Sequence, residues 1–335
     1  MKTLPRSLQQ LISEARRIVD ERESEPDPPE QDPIMQGVDD WLVGLSRGEF
    51  DQELYWQCQA EDCEEDGDWE GAIAANRQIV GIEFQHGISH SLAHRRLSWL
   101  FDLLGYEASA LHHCQLATHV FGKEVLETLH AEAVVGEVWQ LLGMQSYAAA
   151  SQRIDQLLAE PIDWGDHCFS YAHVCLTRAA CRVAEGRGRD AKKHMVECRR
   201  VLDDLSASLS DTETEMPPGI LNMLGAWWLV QAERNQLIGD LSAELYARRE
   251  SLKIAEQLAS DDPLSVVHAE YSVMRRQLAL AAACDRQGLA EEAAKHRVRA
   301  DQICVRRKFP EESNRVCSLQ PAKRLSVWQQ LLNRF

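Results

Sequence analysis

The chain has 335 residues, of which 44% are hydrophobic and 27% charged, and its formal net charge is −17. These are values of a folded, water-facing protein; no apolar run approaches the ~20 residues that a membrane span needs, and the acidic balance disfavours binding to a phosphate backbone. The first ten residues lack the apolar core of a secretory signal, so the cytoplasm is the expected compartment.

In chain order, residues 1–20 read as an amphipathic N-terminal helix. Leu8, Leu11, Ile12, Ala15, Ile18 and Val19 share a stripe, and Ser7 is a suitable cap. Residues 21–35 read as an acidic linker, because Pro26, Pro28, Pro29 and Pro33 break a helix and the charge resists burial. From 36 to 305 the pattern is helical, with a loop expected at 206–219 and a turn at 260–263. Residues 306–335 form a basic tail that closes with an amphipathic helix carrying Leu325, Trp328, Leu331 and Leu332, a candidate cap for the last repeat.

Charge is uneven along this layout. Residues 36–70 hold twelve acids and one base, Arg47, whereas residues 302–335 hold seven bases against Glu311 and Glu312. The acidic block suits a solvated face or a landing site for a basic partner segment. Paired with the basic tail, it could also bring two copies of the chain together.

A repeat organises the middle of the chain. Gly67 precedes Ala72 by five residues, and the step recurs at Gly105/Ala110, Gly143/Ala148, Gly186/Ala191 and Gly288/Ala293; Gly239 is followed at that offset by Glu244. Glycine marks a turn between two helices, and the small residue lets the next helix cross closely. Eleven positions before the turn stand Trp56 and Trp228, which read as plugs between paired helices, and seven before it stand Ala60, Gly136, Ala179, Ala232 and Ala281. The period predicts an all-α solenoid of about six stacked helix-turn-helix repeats with a capping helix at each end.

No motif in the chain specifies chemistry. The ten cysteines include no Cys-x-x-Cys pair, and Cys63 and Cys284 fall at one repeat position, so they read as reduced packing residues. Seven histidines lie between 86 and 130, and His90, His94 and His113 are a conceivable zinc set, yet their spacing matches no zinc motif and packing or surface roles fit them better. Asp62, Asp66 and Asp68 around Gly67 lack the order of a calcium loop, and Gly186-Arg187-Gly188-Arg189 reads as a turn, not a phosphate cradle. No catalytic residue, metal or other cofactor is expected, and the chain does not read as an enzyme.

Gly-Asp-Trp-Glu-Gly-Ala-Ile at 67–73 and Gly-Leu-Ala-Glu-Glu-Ala-Ala at 288–294, with the residues at fixed offsets around them, resemble the tetratricopeptide repeat family over roughly residues 50–305. The resemblance implies protein binding, with a peptide or helix held in a groove lined by the first helix of each pair. The groove positions it implies are Leu54, Gln57 and Glu61; Leu92, Arg95, Trp99 and Asp102; Ala133, Glu137 and Gln140; and Leu229, Glu233 and Gln236. Trp99 would be an anchor for a partner side chain, or would pack on the neighbouring repeat. Gln57 and Glu61 stand where some members grip a terminal carboxylate with Lys and Asn, so a basic or amphipathic segment suits the groove better. The chain then reads as a scaffold or adaptor, or as a peptide-responsive regulator of a separate effector chain.

Overall fold

The computed structural model describes residues 4–23, 33–86, 91–120, 127–164, 168–209, 216–261 and 266–310. Among them are α-helices and no strand: α1 (Arg6–Glu23), α2 (Pro33–Ser46), α3 (Gln52–Asp66), α4 (Trp69–His86), α5 (Ser91–Leu103), α6 (Glu107–Val120), α7 (Glu127–Gly143), α8 (Tyr147–Leu158), α9 (Cys168–Ala184), α10 (Gly188–Leu209), α11 (Pro218–Ile238), α12 (Leu241–Asp261), α13 (Val266–Arg286) and α14 (Ala290–Arg307). The fold is an all-α solenoid whose six hairpin turns join α3 to α4 through α13 to α14. The chain divides into two compact units, residues 1–100 and 101–335.

In the first unit, α1 packs on α2 and α3. Leu8, Ile12 and Ala15 from its apolar stripe meet Leu45 and Cys58 in a small core. The start of α1 is fixed from a distance in sequence. Asp62 accepts hydrogen bonds from the backbone N–H groups of Arg6 and Ser7, the second at 3.0 Å, while Ser7 Oγ donates to Cys58 O at 2.9 Å. A carboxylate on α3 thus caps α1, where the local pattern marked Ser7 as the cap. Helix also reaches into the stretch that composition marks as linker: α1 continues to Glu23 and α2 starts at Pro33, a residue suited to a first helical position.

Part of the acidic block is engaged within this unit. Asp51 caps α3 by accepting from Leu54 N at 2.7 Å, and Asp68 accepts from Gly71 N at 3.0 Å at the start of α4. Arg96 pairs with buried Glu64 at 2.8 Å and approaches Glu61 at 3.7 Å; Arg6 reaches Asp66 at 3.0 Å.

The turns explain the repeat. Gly67, Gly105, Gly186, Gly239 and Gly288 all adopt left-handed backbone, with φ between 69° and 82°. In this conformation a residue accepts the reversal that ends a helix, and glycine does so without a Cβ penalty. The third turn departs from the spacing. Gly143 is still helical, and Gln145 takes the left-handed position with φ 57°. The register of this repeat is therefore two residues later than Gly143/Ala148 implies. Ala148 is exposed, and the alanine in the crossing slot is Ala150, fully buried like Ala72, Ala110, Ala191 and Ala293.

The second unit is built around α9, whose residues from Ala172 to Val183 are buried almost without interruption. They pack with Val134, Val138 and Leu142 of α7, Ile154 and Leu157 of α8, and Met195, Cys198 and Leu202 of α10. A second cluster joins α12, α13 and α14 through Leu245, Leu252, Leu280, Cys284 and Ala293.

Between the two clusters the small-residue slot of the fifth hairpin is filled by a charge. Glu244, only 1% exposed, meets Arg248 at 2.8 Å and also Arg286; Arg248 reaches Glu233 of α11 at 2.8 Å and Gln236 at 3.1 Å. Nearby, α11 and α12 approach closely at Gly225, where Ser251 Oγ donates to Gly225 O at 2.8 Å and itself accepts from Arg276 Nε at 2.9 Å. A Cβ on Gly225 would stand 3.2 Å from both Ile254 and the Arg276 guanidinium.

Two expected loops shorten. α10 runs on through Leu209, so helix occupies the first part of 206–219, and residues 210–215 lie outside the described residues. α12 likewise continues to Asp261. Of the basic tail, Arg306 and Arg307 both pair with Glu270, at 2.8 and 2.5 Å, and Phe309 packs edge-on to Tyr271; the expected closing helix lies outside the described residues. The nine described cysteines are free thiols, all buried except half-buried Cys168.

Candidate functional site

Counting back from each left-handed turn residue separates two stripes on the first helix of every hairpin. Seven residues before the turn stand Ala60, Ser98, Val138, Ala179, Ala232 and Ala281, none more than 3% exposed. Thirteen residues before it stand Leu54, Leu92, Glu132, His173, Ala226 and Arg275, and the first five reach solvent. The spacing of six residues turns the second position well away from the first, so five of the six first helices have one sealed and one accessible face, and α13 buries Arg275 there.

In the first unit, the implied groove residues lie on the accessible side. Leu54 and Gln57 are half-buried, Glu61 and Arg95 are exposed, and Leu92 is 69% exposed, unusual for a leucine. Trp99 is half-buried and meets buried Trp69 of the preceding hairpin edge-on at 6.2 Å, so part of its surface is spent on packing. Burial raises the Glu61 carboxyl, and the charge of Arg96 opposes that rise.

In the second unit, the implied residues divide. Asp102 is half-buried at the end of α5; burial pushes its carboxyl up to about 6, and Arg275 of α13 pulls the other way. Ala133, Glu137 and Gln140 were placed by the Gly143 register, and the two-residue shift moves the equivalent positions to Val135, Trp139 and Leu142. Ala133 and Glu137 are buried, Gln140 is half-buried, and Glu137 pairs with Arg153 at 2.9 Å. Leu229 and Glu233 are also buried, Glu233 within the ionic cluster of Arg248, and Gln236 is bound to the same arginine. These side chains are committed to the interior.

Two residues that the spacing did not single out occupy the accessible position instead. Glu132 of α7 and His173 of α9 stand at equivalent places in successive hairpins, and His173 Nδ1 donates to Glu132 Oε2 at 2.8 Å. The corrected turn at Gln145 is the signal that finds Glu132, and the count back from Gly186 finds His173.

The second helices offer a different surface. Two clefts, about 660 and 450 Å³, open on either side of Tyr171, within the volume range of ligand pockets. The larger is edged by Arg189, Lys192, Lys193 and His194 of α10 and the smaller by Trp164 and Arg200. His194 is held below its ordinary value by burial and by Arg178 and Arg182. A local run of bases, Arg187 to Arg200, was visible in the sequence against the acidic background.

The histidines between 86 and 130 do not share one role. His94 is buried in the first unit, at the position of Trp56 in the preceding hairpin. His113 stacks on Phe101 at 5.3 Å in the second unit, His130 lies 3.2 Å from Glu160, and the His90 member of the conceivable zinc set lies outside the described residues.

No family model matches the chain and no curated protein matches it. Among solved structures it is similar to the apo form of the quorum sensor NprR from B. thuringiensis, with 11% identity and a TM-score of 0.47 over 88% of this chain and 87% of that one. No described helix is long and apolar enough to cross a membrane.

Proposed function

We propose that the chain is a protein-interaction module, not an enzyme, that holds a peptide or helix of a partner protein along the accessible face of its first helices. The observation that carries this reading is the recurrence of one accessible position, Leu54, Leu92, Glu132, His173 and Ala226, on helices whose opposite stripe is sealed. Within each unit, a side chain offered once per hairpin is what a partner segment running across neighbouring hairpins can use. Leu54 and Leu92 supply apolar contact, and Glu61, Asp102 and Glu132 supply acids. Leu54, Leu92 and Glu61 in the first unit, and Asp102 and Glu132 in the second, each suit a basic or amphipathic segment.

The fate of the ionisable groups supports binding over catalysis. Glu64, Glu137, Glu233, Glu244 and Arg248 are buried in ion pairs that join helices. Buried groups so paired serve packing and register and are not presented to a substrate.

The test is selection of a random peptide library on the full chain, followed by fluorescence anisotropy with the selected peptides. Leu92→Asp should weaken peptides held by the first unit, and Glu132→Lys those held by the second, at least about tenfold, equivalent to ~1.4 kcal/mol. Lys192→Glu, in the cleft of α10, should leave it unchanged. Peptides that bind both first-helix variants as tightly as the parent chain would refute the assignment.

A further inference from the structure

One cluster of metal-ligating side chains among the described residues lies apart from the first-helix face. Cys284 is in the last turn of α13, and Glu292 and His296 are one turn apart on α14; their ligand atoms lie within 4.8 Å of one another. Glycine at the turn, Gly288, stands midway between Cys284 and Glu292, so the hairpin itself folds the thiol onto the carboxylate. Cys284 is fully buried, His296 is 8% exposed, and Glu292 forms the solvent edge.

The hydrogen bonds around the histidine give it a direction. Gln277 donates its amide nitrogen to Glu256 Oε1 at 3.0 Å, which fixes its oxygen as the atom facing His296 Nδ1 at 2.5 Å. Nδ1 must therefore carry the hydrogen and donate. In the neutral ring the lone pair then lies on Nε2, and Nε2 faces Glu292 Oε1 at 3.8 Å. On Nε2, a proton or a metal cation balances the facing carboxylate. An N–H held by a carbonyl oxygen on the far side of the ring is the arrangement that orients a ligating histidine. Arg249 of α12 donates to Glu292 Oε1 at 2.7 Å.

We infer that Cys284, Glu292 and His296 form a site for one thiophilic divalent cation, zinc above all, that clips α13 to α14. Sulfur, nitrogen and oxygen donors in a set of three fit zinc, with the fourth position toward solvent beside Glu292. Bonds of ~2.0–2.3 Å require the ligand atoms to close to roughly 3.3–3.8 Å apart, a movement within reach of Glu292, the least buried of the three. Binding replaces the Cys284 S–H bond with a metal–sulfur bond, and the proton passes to solvent. The first hairpin is an internal comparison: Cys63 occupies the place of Cys284, but Gly71 and Ala75 stand where Glu292 and His296 do, so this hairpin lacks the other two ligands.

The experiment uses the full chain, reduced and freed of metal, titrated with Co²⁺ and then Zn²⁺. One equivalent of Co²⁺ should produce a thiolate-to-cobalt charge-transfer band, Zn²⁺ should abolish it, and about one proton should be released per metal near neutral pH. Cys284→Ala should lose the band, and Cys63→Ala should keep it. Glu292→Gln, at a partly exposed position that folding tolerates, should weaken affinity at least about tenfold, and Gln277→Ala by about 10–100-fold through loss of ring orientation. Absence of a thiolate band in the parent chain, or its persistence in Cys284→Ala, would overturn the site. So would unchanged affinity in Glu292→Gln with helicity intact.

Discussion

Gln145 bears a side chain in a backbone conformation that side chains disfavour. Gly143, the residue that the sequence offers for that turn, is spent two positions earlier inside α7. A glycine is a strong sign that a turn is near, but it does not fix which residue adopts positive φ. Only the burial of Ala150 and the exposure of Ala148 reveal the register. Gln145→Gly should therefore stabilise the protein by about 1 kcal/mol in urea unfolding, through removal of left-handed strain. A second residue-scale consequence concerns Glu83, 6% exposed on α4, whose carboxyl is pushed up to about 7 by burial and then by the charge of Glu53. Its folded-state value lies above its unfolded value, so the folded protein holds the proton more tightly. Stability is then greatest at low pH with respect to this group and falls as pH rises from about 4.3 to about 7. Glu83→Gln should flatten that part of the stability–pH profile and raise stability at pH 8 by about 2–3 kcal/mol.

Helices, and five of the six hairpin turns, were legible in the sequence because the period of apolar and small residues is set by the close crossing of paired helices. Polar positions were less legible. Glu61 and Glu233 occupy the same repeat offset and look alike in sequence, yet the first is exposed and the second completely buried against Arg248. What separates them is a tertiary event: Glu244 enters a slot that elsewhere holds alanine and brings Arg248 and Arg286 with it. Truncation of Arg248 takes its guanidinium away from fully buried Glu233, whereas Glu244 keeps Arg286. Arg248→Ala should cost about 3–5 kcal/mol by chemical denaturation, and Arg248→Met combined with Glu233→Leu and Glu244→Ala should recover most of that loss. A similar long-range contact sets the start of α1, where Asp62 does the work expected of Ser7. Asp62→Ala should destabilise the first unit by about 1–2 kcal/mol, whereas Ser7→Ala should cost less.

At the scale of the whole chain, the repeat passes through residue 100 without any change of pattern, although the structure divides there into two compact units. Nearest-neighbour packing explains why: each hairpin carries the same local signals, and a division between units depends on how surfaces meet, which no single hairpin encodes. Burial within the units is uneven as well. The near-continuous burial of α9 from Ala172 to Val183, broken at His173 and Arg182, should make its amides among the slowest to exchange with deuterium in the chain, while the ends of α1 and α2 exchange much sooner. The central claim, that a partner segment lies along the first-helix face, is tested most directly by a selected peptide carrying a photo-reactive side chain. Irradiated with the full chain and mapped by mass spectrometry, the peptide should leave adducts on the first helices of one unit, around Leu54 and Leu92 or around Glu132 and His173. Adducts confined to the α9–α10 clefts around Tyr171 and Lys192 would contradict it.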